Sequence, residues 1–243
     1  GELGELARAF DTTAGDVARS EQARRRMAAD IAHELRTPLA ALQAGLEELR
    51  DGLVQPDAAR LTALHDQSLR LGRVVSDLAE LSAAETAALA LQRSLVDVGV
   101  LVTSAVRAAR PTLDAAGVVV HLDAAGGVVV LGDADRLHQV VGNLLANAAR
   151  YCRDGDEVSV TVSSSPVQAS IRVADTGPGI APGDLPNVFD RLWRGSADSH
   201  VAGSGIGLAV VKELVTAHGG SVDVESDGVT GTAFTIRLPL AAN

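Results

Sequence analysis

His33 and Glu34 stand side by side in the run Asp30-Ile31-Ala32-His33-Glu34-Leu35-Arg36-Thr37-Pro38-Leu39. An imidazole next to a carboxylate can act as a nucleophile whose tautomer is fixed and whose proton has somewhere to go. Thr37 follows one helical turn later and faces the same way as the imidazole. Taken alone, these are also what an ordinary amphipathic helix shows to water. A second group lies further on, where Gln139, Asn143, Asn147, Arg150 and Tyr151 recur at helical spacing. Amide oxygens one turn apart suit a hard cation such as Mg²⁺, and an arginine beside them suits phosphate, though a solvated helix face has the same composition. A third group is Asp175 with Gly177 and Gly179, followed by Arg191, Arg194 and the triplet Gly203, Gly205, Gly207 ahead of Leu208.

The elements that must position these groups can be read from apolar periodicity. Ile31, Leu35, Leu39, Leu42, Leu46, Leu49 and Leu53 recur at three and four, one stripe of a helix over about 20–50. At about 100° per residue, His33 lies roughly 200° from Ile31, pointing away from the stripe. Pro38 offers no amide proton to the carbonyl of Glu34, which predicts a bend there. Arg50–Asp57 carries Gly52 and Pro56 and reads as a turn, and Leu61, Leu64, Ser68, Leu71, Val75 and Leu78 mark a second helix over about 57–88. Two antiparallel helices cannot cover both stripes, so a second copy of the chain is expected to complete a four-helix bundle. Packing of the stripes on the C-terminal part is the other way to cover them.

After Arg93 helices alternate with short Val-rich strands. Helices are expected at 98–110, Asp133–Tyr151 and Gly205–His218, and strands at Val118–Leu122, Val128–Leu131, Val158–Ser163, Ser170–Asp175, Ser221–Glu225 and Thr232–Leu238. This order predicts an α+β sandwich with its helices on one face. Period-two alternation puts Asp175 on the inward face with Ile171 and Val173, where a carboxylate is costly unless a donor such as an adenine amino group meets it. Glycine lets backbone approach a flat ring closely, and backbone amides opening the helix after Gly205 can hold phosphate.

Hydrophobic residues make up 47% of the 243 and aromatics only 2%, so the core must be aliphatic. The net charge of −10 argues against a nucleic-acid partner. The one cysteine, Cys152, excludes an internal disulfide and suits a reducing compartment. No apolar run approaches the roughly 18 residues of a membrane helix, and a cytoplasmic location is expected.

The string His-Glu-Leu-Arg-Thr-Pro-Leu closely resembles the phospho-acceptor box of bacterial sensor histidine kinases. Asn143-Leu-Leu-Ala-Asn147-Ala-Ala-Arg150-Tyr151 resembles that family's N box, and Asp175-Thr-Gly177-Pro-Gly179 its G1 box. Asn187-Val-Phe189-Asp-Arg191-Leu-Trp-Arg194 resembles its F box, and Gly203-Ser-Gly205-Ile-Gly207-Leu208 its G2 box. The opening Gly1–Phe10 looks like the tail of a HAMP linker, which implies a cytoplasmic fragment of a protein anchored in the cell's inner membrane. The resemblance implies a HAMP-like end over 1–19, a dimerisation and phosphotransfer hairpin over 20–92, and a Bergerat-type ATP-binding domain over 93–243. It implies a kinase that moves phosphoryl from ATP to His33, with Glu34 assisting, and on to a response-regulator aspartate. Asn147 then binds Mg²⁺; Arg150, Tyr151, Arg191 and Arg194 approach the phosphates; Asp175 reads the adenine; Thr37 serves dephosphorylation of the regulator. The linker near Leu91–Leu95 is expected to flex so that His33 and ATP can meet. The ATP fold is shared with gyrase and MutL, so an ATPase and a non-catalytic nucleotide-binding scaffold are the rival readings. Hydrolases of that fold carry a glutamate where this chain has Asn143, and asparagine cannot take a proton.

Overall fold

The structure, a computed structural model, describes residues 31–32, 35–124, 126–191, 193 and 205–241. The chain forms two units, Gly1–Val75 and Ser76–Asn243. In the first, α1 is helical at 31–32 and 35–50, continuing through Pro38. The chain turns at Gly52, whose φ is 70°, and α2 (Ala58–Leu89) begins. Asp57 Oδ1 accepts the amide of Arg60 at 2.7 Å, taking up one of the free donors at the start of α2. The helices approach closely at Gly45, where a Cβ would stand 2.7 Å from Leu64 Cδ2.

The single stripe expected on α1 divides in two. Leu42, Gly45 and Leu49 are half-buried, while Leu39, Leu46 and Leu53 are 45%, 55% and 74% exposed. Leu39 and Leu46 lie seven residues apart on α1, the period of a helix that meets a further helix along a seam, while Leu53 stands past the turn at Gly52.

The second unit is a two-layer α+β fold. β1 (Ser94–Asp97) pairs antiparallel with β3 (Val129–Gly132). β2 (Val119–Ala124), β4 (Glu157–Ser164), β5 (Gln168–Asp175), β6 (Ser221–Ser226) and β7 (Thr232–Pro239) form a sheet of order β2-β4-β5-β7-β6. Only the β2–β4 pair is parallel. The helices are α3 (Val98–Ala115), α4 (Ala134–Tyr151) and α5 (Gly207–Ala217), with a 3₁₀ turn at Leu185–Asn187. Val158, Val160, Ile171, Val173, Ile236 and Leu238 are at most 2% exposed and face Leu137, Val141, Leu144, Leu145, Val210, Val211 and Leu214, at most 1% exposed. The helices therefore cover one face, as the alternation predicted.

Two departures have plain causes. β1 was not expected, because four residues are too few to show a period; pairing with β3 and burial of Val96 define it. Helix α3 passes Pro111 rather than ending at 110. Arg107 and Pro111 both lie on its exposed side, so the carbonyl that the proline leaves without an amide faces solvent, while Leu113 beyond is fully buried.

Candidate nucleotide site

Helix α4 starts at an N-cap, Asp133, whose side chain accepts the amide of Arg136 at 3.2 Å. It buries Leu137, Val140, Val141, Leu144, Leu145 and Ala148. That register turns Asn143 and Asn147, both half-buried, and the exposed Arg150 onto another arc, and Tyr151 ends the helix half-buried. Asn143 Nδ2 donates to the carbonyl of Gly207 at 3.3 Å. This bond brings the N-box segment against the first residue of α5, and with it Leu208. Gly205 has φ 72°, so the chain enters the helix through a conformation that favours glycine. The helix itself starts at Gly207, two residues later than expected, since the positive φ at Gly205 is incompatible with a helical turn.

Asp175 closes β5 on the inward side, half-buried. Its Oδ1 accepts two backbone amides, Gly177 at 3.0 Å and Thr232 at 3.3 Å. Burial nonetheless pushes its carboxyl above the ordinary carboxylate range, the two amides and a neighbouring Asp156 being smaller influences. Both amides meet one oxygen, which leaves Oδ2 for an outside donor. Beside it Cys152, just past the end of α4, has its thiol pushed up to about 12 by burial and by the charges of Asp175 and Asp156. It is therefore a neutral wall rather than a nucleophile.

The glycines of this loop are explained by protein packing. A Cβ at Gly177 would lie 3.0 Å from Asp175 Oδ1 and 3.3 Å from Cys152 Sγ. One at Gly179, where φ is 74°, would meet the β6–β7 connection at 2.8 Å from the amide nitrogen of Val229. Ser226 ties the same two segments together: its Oγ accepts from Ile180 at 2.8 Å and donates to the carbonyl of Gly231 at 2.6 Å. Gly231 has φ 121°, and a Cβ there would stand 1.9 Å from the carbonyl oxygen of Asp175. Sequence reading passed over Gly231, Thr232 and Ser226. The signal available was Gly-Thr after the Asp227-Gly228 turn, a glycine opening a strand where a close backbone approach is common.

Of the F-box residues, Phe189 packs edge-on against Phe234, centroids 6.2 Å apart, with Lys212 Nζ 5.9 Å from its ring. Arg191 pairs with Glu213 on α5 at 3.8 Å. His33, Glu34, Arg194, Gly203 and the HAMP-like opening lie outside the described residues; Thr37 is an exposed residue of α1.

Residues 23–87 match the His Kinase A (phospho-acceptor) domain family, and 132–242 the histidine kinase-, DNA gyrase B- and HSP90-like ATPase family. The solved histidine kinase AdeS of Acinetobacter baumannii is 31% identical, with a TM-score of 0.65, over 86% of this chain and 98% of that one. The chain belongs to the sensor histidine kinase family. A curated relative, the signal transduction histidine-protein kinase BaeS of Escherichia coli, is 34% identical over 98% of this chain and 52% of its own length. The chain thus spans about half the length of such relatives. Full-length ShkA, solved in complex with AMPPNP, is 26% identical with a TM-score of 0.63, over 90% of this chain and 46% of that one. The family's architecture, a helical phospho-acceptor part followed by an α/β nucleotide-binding part, is the one described above. Among the described residues no helix is long and apolar enough to cross a membrane.

Proposed function

We propose that this part of a sensor histidine kinase transfers the γ-phosphoryl group of ATP to His33 and passes it to an aspartate of a response regulator. Family membership supports phosphoryl transfer, and Asn143 separates it from hydrolysis. A side-chain amide bonded to Gly207 O has no basic atom with which to activate water.

The residues fit Mg·ATP. Asp175 has a carboxylate oxygen for an adenine amino group, and Arg150 is exposed at the end of α4. No cluster of three or more His, Cys, Asp or Glu that could hold a metal is found among the described residues. Mg²⁺ is held in such sites by few protein oxygens together with substrate phosphates. Asn147 is the residue assigned here, and the ion supplies charge neutralisation. Arg150, Tyr151, Arg191, Arg194 and the amides of Gly203–Leu208 are assigned to the phosphates, with Gly177 and Gly179 shaping the adenine end.

In the reaction an imidazole nitrogen of His33 attacks the γ-phosphorus in line. The P–N bond forms as the bond to the bridging oxygen breaks, ADP leaves, and Glu34 takes the ring proton. The helical part over 20–92 presents His33 in a homodimer, the part over 93–243 presents ATP, and Thr37 orients water when the phosphorylated regulator returns. The location assigned is the cytoplasmic side of a membrane-anchored parent. His33→Gln tests the core of this reading. It is expected to abolish acid-labile, base-stable phosphate on the protein while ATP-analogue affinity stays near wild type. Incorporation in the variant above a few per cent of wild type, or none in wild type, would overturn it.

A further inference from the structure

Among the described residues, His218 is a titratable side chain buried to 5% exposure that the reaction above does not use. Its Nδ1 lies 2.7 Å from the carbonyl of Leu214, and its Nε2 accepts the backbone amide of Asp133 at 2.9 Å. A carbonyl only accepts and an amide only donates, so the ring is neutral and carries its proton on Nδ1. Four segments meet at it and at its neighbours Asp133 and Ala217. Gly132 ends β3 so tightly that a Cβ would stand 2.9 Å from the imidazole. Asp133 opens α4 and also accepts the amide of Gln92 through Oδ2 at 3.0 Å. Ala217, at the end of α5, accepts Arg93 Nη2 through its carbonyl at 2.8 Å. The stretch expected to flex, Leu91–Leu95, is thus held from Gln92 onward.

The same two helices are joined again at the nucleotide end by Asn143 and Gly207. Asp133 and Asn143 are ten positions apart along α4, and Gly207 and His218 eleven along α5. At about 1.5 Å per residue each span is roughly 15 Å. The helices run antiparallel between two ties, one at Asn143 and Gly207 and one at the root of the linker.

We propose that His218 is a positioning residue that, with Asp133, fixes the linker root Gln92–Arg93 to the two helices carrying the nucleotide residues. ATP held at the Asn143–Gly207 end is then presented from a fixed origin when the linker swings toward His33. This rests on the kinase reading, but its geometry can be tested without it.

The experiment compares wild type, His218→Asn and Arg93→Ala in the full chain. Hydrogen exchange of the Gln92 amide and AMPPNP affinity are measured first, then the rate of autophosphorylation at saturating ATP. Both variants are expected to lose about tenfold in Gln92 protection and in rate, within the range of ordinary coupling energies, with AMPPNP affinity within about twofold. Arg93 is exposed, so Arg93→Ala carries the test if His218→Asn does not fold. Wild-type protection of Gln92 in Arg93→Ala with an unchanged rate would overturn the proposal, as would a loss of affinity in step with the rate. Absence of autophosphorylation in wild type would strike the kinase reading instead, and the exchange and affinity measurements would still decide the anchor.

Discussion

The amide of Asn143 and the carbonyl of Gly207 meet at 3.3 Å, joining the middle of α4 to the first turn of α5. A position that in hydrolases of this fold holds a proton acceptor here holds a strut. Asn143→Asp puts a carboxylate oxygen against a carbonyl oxygen. It is expected to weaken ATP-analogue binding about tenfold or more, the size of an unmade buried hydrogen bond. Calorimetric titration would show it, and an unchanged affinity would separate the strut from the nucleotide site.

The raised carboxyl of Asp175 gives a signed expectation. A proton is held more tightly in the folded than in the unfolded chain, so this group favours folding at acid pH. That contribution is lost as pH rises from the ordinary carboxylate value, about 4, through the higher folded value. In the proposed role Asp175 accepts the adenine amino group as a carboxylate, so AMPPNP affinity is expected to fall on acidification with a midpoint above about 4. Asp175→Asn keeps an oxygen for Gly177 and Thr232. It is expected to unfold at the same or a higher temperature near neutral pH, while binding nucleotide weakly and with little pH dependence. A variant that binds as tightly as wild type would remove Asp175 from adenine recognition.

Glu34→Ala and Thr37→Ala are expected to separate two activities. The first should cut autophosphorylation by about 10²–10⁴-fold, as loss of a general base does. The second should leave it intact and slow dephosphorylation of a phosphorylated regulator. Equal loss of autophosphorylation in both would undo this division.

Leu39 and Leu46, seven residues apart, form an exposed apolar row on α1. Leu46→Glu places a charge in that row and is expected to shift the chain from dimer to monomer in sedimentation equilibrium, with the ATP-binding unit still folded. A variant that sediments as wild type would move the dimer seam elsewhere.

The helices, the central strands and the polar arc of α4 were legible because each rests on a period long enough to repeat. The inward placement of Asp175 came from alternation with Ile171 and Val173. What escaped was set by contacts between distant segments. The short β1 exists through β3, α3 outlasts Pro111 because Leu113 is buried, and the α1 stripe divides because α2 takes only part of it. Gln92, Asp133 and His218 are far apart in sequence, and no local pattern announces that Asp133 bonds to both of the others. Gly177 and Gly179 were expected to admit a flat ring close to the backbone, and the neighbours the fold itself places there are Cys152, Asp175 and the β6–β7 connection.

Gly231 leaves no room beside the Asp175 carbonyl for even a methyl group, and a Cβ at Gly179 would stand 2.8 Å from the amide nitrogen of Val229. If an inhibitor engaged Asp175 in the manner of a purine, escape by a substitution at Gly231 would move the end of β5, and with it the carboxylate proposed to meet the natural nucleotide. Resistance would have to arise along α4, where the exposed Arg150 can change without moving β5.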